Sequence, residues 1–392
     1  MVSAFIYDSV RTPFGKYGKG LAAVRPDDLG ALVIRTLLER NPGLDPGAID
    51  DVIFGNANGA GEENRNLARM ALLLAGVPVT VPGVTVNRLC ASGIEAVIQA
   101  ARAIETGDAS VIVAGGAESM TRAPWVLPKP DRPFPSGDQA LASTALGWRL
   151  VNPRMPLQWT VPLGETAERV SELLGISRPD QDAFALRSHR LAAVAWAEGR
   201  YATDTVMVPG SSLARDESIR EDTTLEALGA LRLAFRGPGQ PGTVTAGNSS
   251  PLSDGASAVL LGAEGALPTE PLARIVSRGV AANEPDLMGI APVPAAQQAL
   301  GRAGLTWDDI DLVEVNEAFA AQSLGCLRLW DGLDPGKVNV DGGALAIGHP
   351  LGASGGRLIG HLAHRLKAQG GGRGLAAACI GVGQGLAVIL EA

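Results

Sequence analysis

The chain has 392 residues and a formal net charge of −8, with 46% hydrophobic, 19% charged and 4% aromatic residues. At roughly 150 residues per domain, this length predicts two to three domains and a core large enough for an enzyme. The composition excludes an intrinsically disordered chain and a small disulfide scaffold, and the acidic balance argues against a general nucleic-acid-binding protein.

Three further features of the sequence bear on where the protein works. The first residues lack a basic segment followed by an apolar run, so we expect no signal peptide. The most apolar stretches, at 71–84 and 375–390, are too short or too interrupted by proline and glycine to span a bilayer, which takes about 20 residues. Three cysteines without paired spacing fit a reducing compartment. We therefore expect a cytoplasmic protein with no membrane partner.

Strand and helix patterns alternate at both ends of the chain. The first part predicts a strand at 83–87, a helix at 94–104 and a strand at 110–116. Residues 121–242 begin with five prolines, contain helical patterns at 166–174 and 181–198, and end in a segment rich in glycine and proline. The last part predicts a strand at 337–340, a helix at 357–366 and a strand at 375–381. This alternation is typical of βαβ units in mostly parallel sheets.

An internal repeat organises these elements. Residues 43–52 match 304–313 at an offset of 261, and the Ala-Ser-Gly of 91–93 recurs at 353–355 at an offset of 262. We therefore predict an α/β protein of two duplicated, βαβ-rich halves. The first half comprises residues 1–120 and 243–268, the second comprises 269–392, and residues 121–242 form an inserted loop domain.

Two candidate catalytic side chains lie at equivalent turns of the halves. Cys90 stands between a predicted strand and a predicted helix, where the helix N-terminus favours ionisation of the thiol and attack on a carbonyl. His349 precedes the equivalent turn of the second half, within reach for a Cys–His pair. The alternatives are a buried structural cysteine and a loop histidine bonded to backbone.

The positions of three more residues in the second half indicate chemistry or packing. Cys379 precedes glycines at 381, 383 and 385, whose N–H groups could form an oxyanion hole. Asn316 ends a predicted strand, and its alternative role is the N-cap of a helix over 317–329. Cys326 lies inside that helix among leucines, and we predict that it belongs to the core.

Other motifs give weaker signals. Ser354 lies in a G-x-S-x-G pattern, but no Asp and only Glu391 follow it, so we assign it to turn and helix-cap chemistry. No G-x-G-x-x-G follows a first strand. His361 and His364 share a helix face without further ligands, so we expect a solvated face and no metal site.

Several longer motifs stand around these residues: NRLCASG (87–93), NEAFA (316–320), GHPLG (348–352) and CIGVGQG (379–385), with DSVRTPFG (8–15), GGAESM (115–120) and TAGNSS (245–250). In these motifs the chain resembles the thiolase family over essentially its whole length. The resemblance implies a layered α-β-α-β-α thiolase fold, a loop domain that holds coenzyme A, and a homodimer or homotetramer. It also implies acyl-CoA and CoA as substrates, with no permanently bound cofactor.

The resemblance further implies ping-pong acyl transfer. Cys90 would become a thioester while His349 accepts its proton, and Cys379 would act as the second acid or base. His349 with a water held by Asn316 would form one oxyanion site, and the N–H groups of Cys90 and Gly381 the other. The implied CoA contacts are Arg220, Phe235, Ala246, Ser250, Met288, Ala318 and Phe319.

The substrate remains open at this point. Acetoacetyl-CoA thiolases tend to have a His-Met pair where this chain has Pro162-Leu163, whereas GEENRN (61–66) and GWRLVNP (147–153) resemble the 3-oxoadipyl-CoA thiolases of aromatic degradation. The leading hypothesis is a thiolase that acts on a 3-oxoacyl-CoA. The alternatives are a 3-oxoadipyl-CoA thiolase, a condensing enzyme that uses carrier-protein thioesters, and a non-catalytic acyl-binding homologue.

Overall fold

The structure, a computed structural model, describes residues 2–237 and 239–392. The strands are β1 (Ala4–Arg11), β2 (Gly15–Lys16), β3 (Asp51–Gly55), β4 (Gly83–Val86), β5 (Val111–Ser119), β6 (Trp125–Val126), β7 (Ala142–Ser143), β8 (Ser253–Ala263), β9 (Ala273–Ala282), β10 (Leu312–Val315), β11 (Arg373–Ile380) and β12 (Gln384–Glu391). The helices are α1 (Pro26–Arg40), α2 (Leu67–Leu74), α3 (Ser92–Thr106), α4 (Leu163–Leu174), α5 (Arg178–Ala197), α6 (Leu225–Gly229), α7 (Pro292–Ala303), α8 (Ala320–Leu329), α9 (Ala344–Ile347) and α10 (Leu351–Ala368).

The strands of the two halves follow the same spatial order. Neighbours run β1-β8-β5-β3-β4 in the first half and β9-β12-β11-β10 in the second. The pairs β3/β5 and β10/β11 are parallel, whereas the pairs that β8 and β12 form are antiparallel. An isolated parallel bridge from Val338 to Val313 takes the place of β4. The duplication predicted from the sequence repeat is therefore confirmed.

The two halves are joined along one edge. β1 pairs with β9 through Phe5 with Arg274 and Ile6 with Ala273. Hydrogen bonding therefore runs through both halves as one path of nine strands, and β2, which pairs with β8, is the tenth strand of this sheet. The sequence repeat did not predict this junction, because it relates the halves without indicating which strand edges meet.

The predicted five-layer arrangement is present. Helices α3 and α10 lie in the middle, where a core cluster combines their side chains with strand residues of both halves, for example Ile94, Ile359, Ile53 and Ala376. Alternate strand residues face outward, where α1 and α2 cover the first half and α7 and α8 cover the second.

The two middle helices approach closely at a glycine. A Cβ at Gly93 would lie 2.7 Å from the carbonyl oxygen of Gly352, so only glycine fits there. This close packing also explains why α10 begins at Leu351 although glycines at 352, 355 and 356 made the sequence pattern weak before residue 357. The approach brings the N-terminal ends of α3 and α10 together.

The segment between the halves contains α4, α5 and α6 and the short pair β6/β7. Helix α5 begins three residues before its predicted start because Ser177 and Asp180 form a capping box. The predicted strand at 337–340 is wrong apart from Val338: the chain turns at Asn339, which has a φ of +46°. Among the residues that the structure covers, no helix is long and apolar enough to cross a membrane.

Candidate active site

Cys90 lies in a single 3-10 turn, Leu89–Ala91, between β4 and α3. The Ser92 hydroxyl fixes this turn, because it accepts from the Arg88 N–H at 2.9 Å and donates to the Leu89 carbonyl at 2.7 Å. Leu89 has a φ of +45°, a strained conformation for a residue with a side chain. The turn therefore holds the Cys90 sulfur at the start of α3, in a backbone conformation that costs stability.

The Cys90 thiol is protonated in the resting site. Burial raises the pKa of Cys90 to about 11, although the N–H groups of Gly381 and of Cys90 itself lower it by hydrogen bonding to the sulfur. The nearby Glu118 raises the pKa further. The expectation that a helix N-terminus disposes this cysteine to ionise is wrong at this site, because desolvation outweighs the N–H groups. Cys90 needs a base to become a nucleophile.

His349 is buried, with a defined tautomer. Its Nδ1 lies 2.6 Å from the Ser354 hydroxyl, which donates its own hydrogen to the Pro350 carbonyl at 2.9 Å. Nδ1 must therefore carry the proton, and Nε2 keeps a lone pair. Burial, followed by the charge of Arg357, lowers the pKa of His349 to about 3, so the ring is neutral. Ser354 orients this ring, a contact that the sequence interpretation of turn chemistry missed.

Asn316 is fully buried beside this histidine. Its Nδ2 lies 3.2 Å from His349 Nε2, and within the described part of the chain its Oδ1 has no hydrogen-bond partner. The alternative helix-cap role is wrong, because α8 begins at Ala320 and its N-cap residue is Phe319. Asn316 therefore turns one amide end to the imidazole and leaves an acceptor available.

Cys379 and Gly381 approach Cys90 from the second half. Both α10 and β11 pack on the Leu89–Ala91 turn. Burial raises the pKa of Cys379 well above its ordinary value, and the neighbouring Cys90 raises it further. The structure thus brings two thiols and the Gly381 N–H to one point. Cys326 is buried in the core beside α7, as predicted.

The cavity next to Cys90 has a volume of about 420 Å³. Its lining comes from the ends of β3, β4 and β5, from loop 144–149, and from the turns at Leu351 and Gly381; the residues are Ala57, Asn58, Asn87, Leu89, Cys90, Glu118, Met120, Ala123, Thr144, Ala145, Leu146, Gly147, Trp148, Arg149, Leu163, Leu351 and Gly381. The cavity reaches Cys90 and Gly381, while Cys379 and Asn316 lie fully buried behind them.

The predicted CoA contacts fall into two groups. Met288, Ala318 and Phe319 pack with Cys379 in one apolar cluster, and Phe235 places its ring 6.0 Å from that of Phe319. Ser250 joins this group through its N–H, which donates to the Ala318 carbonyl at 3.0 Å.

The second group is separate from that apolar cluster. Arg220 and Ala246 line a narrow groove that also includes Lys16 and Ser249. Ser249 connects the two groups, because it forms an isolated bridge with Phe319.

The expectation of a solvated histidine face on α10 is wrong. His361 is buried between Asp204 at 3.1 Å and Asp341 at 3.0 Å and stacks on Tyr201. Burial lowers its pKa, but hydrogen bonds to both carboxylates raise it overall, to about 9. His364 is half-buried, with Nε2 3.4 Å from the Ser9 carbonyl. Within the described residues, no group of three or more acidic, histidine or cysteine side chains forms a metal site.

Comparisons with known proteins show the family of this chain. The family model for the thiolase N-terminal domain matches residues 4–265, and that for the thiolase C-terminal domain matches residues 269–392. A beta-ketoadipyl-CoA thiolase of Pseudomonas aeruginosa is 50% identical, covering 99% of this chain and 98% of that protein. A 3-oxoadipyl-CoA/3-oxo-5,6-dehydrosuberyl-CoA thiolase of Escherichia coli is also 50% identical, with both chains fully covered.

Solved structures show the same fold. Human mitochondrial 3-ketoacyl-CoA thiolase superposes with a TM-score of 0.93 at 38% identity, covering 100% of this chain and 99% of the other. Its complex with CoA superposes with a TM-score of 0.92 at 38% identity, covering 100% and 98%. With two thiolase domains matched and full-length relatives at half identity, this chain belongs to the thiolase family of acyltransferases.

Proposed function

We propose that this thiolase cleaves 3-oxoadipyl-CoA with CoA, giving acetyl-CoA and succinyl-CoA, through a thioester on Cys90. The names of the bacterial relatives at 50% identity support the substrate. The observation on which the chemistry rests is the convergence of a protonated thiol and two N–H groups at one buried turn, with the neutral imidazole of His349 at the start of α10, the helix that packs on this turn. The reverse Claisen condensation uses the same groups.

In the first step, His349 Nε2 accepts the proton of Cys90 as the sulfur attacks the 3-oxo carbon. The tautomer set by Ser354 leaves Nε2 unprotonated, and the Cys90 proton replaces the contact that this lone pair makes with Asn316 Nδ2 in the resting site. The N–H groups of Cys90 and Gly381, which already converge on the sulfur, stabilise the oxyanion that forms there. A donor of this kind contributes about 2.7–4 kcal/mol to transition-state stabilisation in comparable enzymes.

In the second step, the bond between C2 and C3 breaks and Cys379 protonates the acetyl-CoA enolate. Its raised pKa keeps Cys379 protonated at neutral pH, as a proton donor requires. The enolate oxygen is stabilised by protonated His349 together with a water that Asn316 Oδ1 orients. The unpartnered, buried Oδ1 of Asn316 supports this role.

CoA then releases the acyl group. The CoA thiol gives its proton to the Cys379 thiolate and attacks the thioester, while the departing Cys90 sulfur recovers the proton held by His349. All groups return to their starting states. Exchange between two thioesters is nearly isoenergetic, which suits a reversible transfer.

The predicted CoA contacts supply the binding of the nucleotide thioester. Phe235 and Phe319, beside Met288, offer apolar surface for the pantetheine arm, and Arg220 offers charge for a phosphate. We propose that residues 121–242 form the CoA-binding domain between halves 1–120 with 243–268 and 269–392. A homodimer or homotetramer and a cytoplasmic location complete the proposal, and the three free cysteines support a reducing compartment.

The test is thiolysis followed by loss of the 3-oxoacyl-CoA enolate absorbance. Acetoacetyl-CoA, a medium-chain 3-oxoacyl-CoA and 3-oxoadipyl-CoA are compared by kcat/KM, with Cys90→Ala as the control. We expect the largest kcat/KM for 3-oxoadipyl-CoA and no turnover by the variant. A larger kcat/KM for a monocarboxylic substrate rejects 3-oxoadipyl-CoA as the preferred substrate. Full turnover by Cys90→Ala rejects the mechanism.

A further inference from the structure

The cavity beside Cys90 is apolar except for a polar patch. Most of its lining is contributed by alanine, leucine, glycine, methionine and tryptophan. Within the described residues that line it, Arg149 is the only cation and Glu118 the only carboxylate. In a chain of net charge −8, a lone cation in such a cavity indicates a site for an anionic group.

Arg149 is fixed but not neutralised. Its Nη2 donates to Asn58 Oδ1 at 3.0 Å, and Asn58 Nδ2 in turn donates to the Thr144 hydroxyl at 3.1 Å. Throughout residues 2–237 and 239–392, no carboxylate forms a salt bridge with Arg149. One guanidinium N–H is therefore used for orientation, and the remaining donors are free to bind a carboxylate, which matches their planar geometry.

The loop that contains Arg149 reverses the usual distribution of side chains. Leu146 and Leu150 are 55% and 64% exposed, whereas Trp148 and Arg149 between them are half-buried against the cavity. Gly147 and Leu150 both have positive φ values, of +76° and +51°, so the chain bends sharply on each side of this pair. Hydrophobicity alone would turn the leucines inward, but the backbone instead directs the cation into the cavity.

Neither Glu118 nor the predicted CoA contacts compete with a substrate for Arg149. Glu118 is held by N–H groups of Ala57, Asn58 and Gly352, and burial raises its pKa to about 7. None of the predicted CoA contacts lines this cavity, since they belong to the Cys379 cluster and to the Arg220 groove. With CoA bound at the proposed contacts, Arg149 lies on the acyl side of Cys90.

We propose that Arg149, oriented by Asn58, binds the terminal carboxylate of a 3-oxodicarboxylyl-CoA and thereby selects dicarboxylic over monocarboxylic acyl chains. The inference rests on the proposed 3-oxoadipyl-CoA thiolase function. It assigns the substrate preference to one ion pair, formed within an apolar cavity where such a pair is strong. The same pair holds the succinyl group while it is attached to Cys90.

The test compares two substrates of equal length, 3-oxoadipyl-CoA and 3-oxohexanoyl-CoA, which differ in a terminal carboxylate or methyl group. The quantity measured is the ratio of their kcat/KM values in wild type, Arg149→Met and Arg149→Lys. We expect Arg149→Met to lower the ratio roughly 10- to 100-fold, the value of a hydrogen-bonded charge contact. Lysine restores part of the ratio, because it keeps the charge without the planar fork.

Arg154→Met serves as the matched control. Arg154 is an exposed arginine of the same segment and does not line the cavity, so its replacement changes the net charge equally and leaves the ratio unchanged. The thermal midpoint of each variant checks that the chain is folded.

The outcomes separate the inference from the proposed function. A wild type that does not prefer 3-oxoadipyl-CoA rejects the substrate assignment itself. A wild type that prefers it, with an unchanged ratio in Arg149→Met, rejects only the role of Arg149. An equal loss with both substrates and a raised KM for CoA overturns the inference in favour of CoA binding by Arg149.

Discussion

Replacement of Ser354 by alanine tests how the base of this thiolase is oriented. In the wild type, His349 Nδ1–H donates a hydrogen bond to the Ser354 hydroxyl at 2.6 Å, and that hydroxyl donates a hydrogen bond to the Pro350 carbonyl. Alanine leaves that N–H buried without an acceptor, at a cost of about 1–3 kcal/mol. This cost favours the other imidazole tautomer, in which the ring proton is on Nε2. Nε2 can then no longer accept the proton of Cys90.

The expected loss follows from that cost. Since each 1.36 kcal/mol changes a rate about tenfold, the rate of Cys90 acylation falls roughly 5- to 150-fold. Single-turnover acylation by 3-oxoadipyl-CoA, followed by mass spectrometry, measures this rate directly. Nitrogen NMR of the imidazole reports the tautomer, which we expect to be Nδ1–H in the wild type and mixed in the variant.

Ser257→Ala is the matched control for this variant. Ser257 is also a buried serine bonded to a backbone carbonyl near α10, that of Ala353, but it does not contact His349. We expect Ser257→Ala to lose stability without slowing acylation. If Ser354→Ala acylates at the wild-type rate, or if both variants slow equally, the orienting role of Ser354 is refuted.

Three further predictions concern the surroundings of this site. His361→Gln should lower the free energy of unfolding by about 3 kcal/mol below pH 6.5. Because the pKa of His361 in the folded protein is raised to about 9, this difference disappears as the pH rises through 9. Denaturant titrations measure it, and a difference between wild type and variant that grows with pH would contradict the prediction. Gly348→Ala should lower both kcat/KM and the thermal midpoint, because Gly348 has a φ of +105° and a Cβ added there would lie 2.4 Å from Ser253 Oγ. Wild-type values of kcat/KM and of the thermal midpoint would show that the loop tolerates a side chain. Alkylation of Cys90 by iodoacetamide should accelerate steadily from pH 7 towards its pKa of about 11, whereas a plateau at pH 7 would indicate a preformed thiolate.

Much of the architecture could be predicted from the sequence because an internal repeat relates the two halves. The matched blocks at 43–52 and 304–313 each lead into a strand, β3 and β10, that pairs in parallel with the equivalent neighbour, β5 or β11. The local sequence pattern predicted the wrong structure where the backbone turns. The apolar run at 337–340 has the composition of a strand, but Asn339 turns the chain and bonds through its side chain to Glu317.

The parts of the site that were missed depend on contacts between distant segments. The spacing of His361 and His364 on one helix gives no sign of Asp204, which reaches His361 from the inserted segment. The ionisation of Cys90 was misjudged for a related reason: the helix N-terminus is visible in the sequence, but the degree of desolvation is not. Arg149 lies in the segment 147–153 whose sequence resembles 3-oxoadipyl-CoA thiolases, but only the cavity shows which side chain of that segment lies beside Cys90.

In the proposed mechanism, Cys90 takes the acyl group as a thioester. The most direct measurement is intact-protein mass spectrometry after the enzyme has reacted with 3-oxoadipyl-CoA in the absence of free CoA, followed by peptide mapping. We expect one succinyl group per chain, attached to Cys90, released by added CoA and missing in Cys90→Ala. An adduct on Cys379 instead, or a wild type that turns over without any adduct, would contradict it.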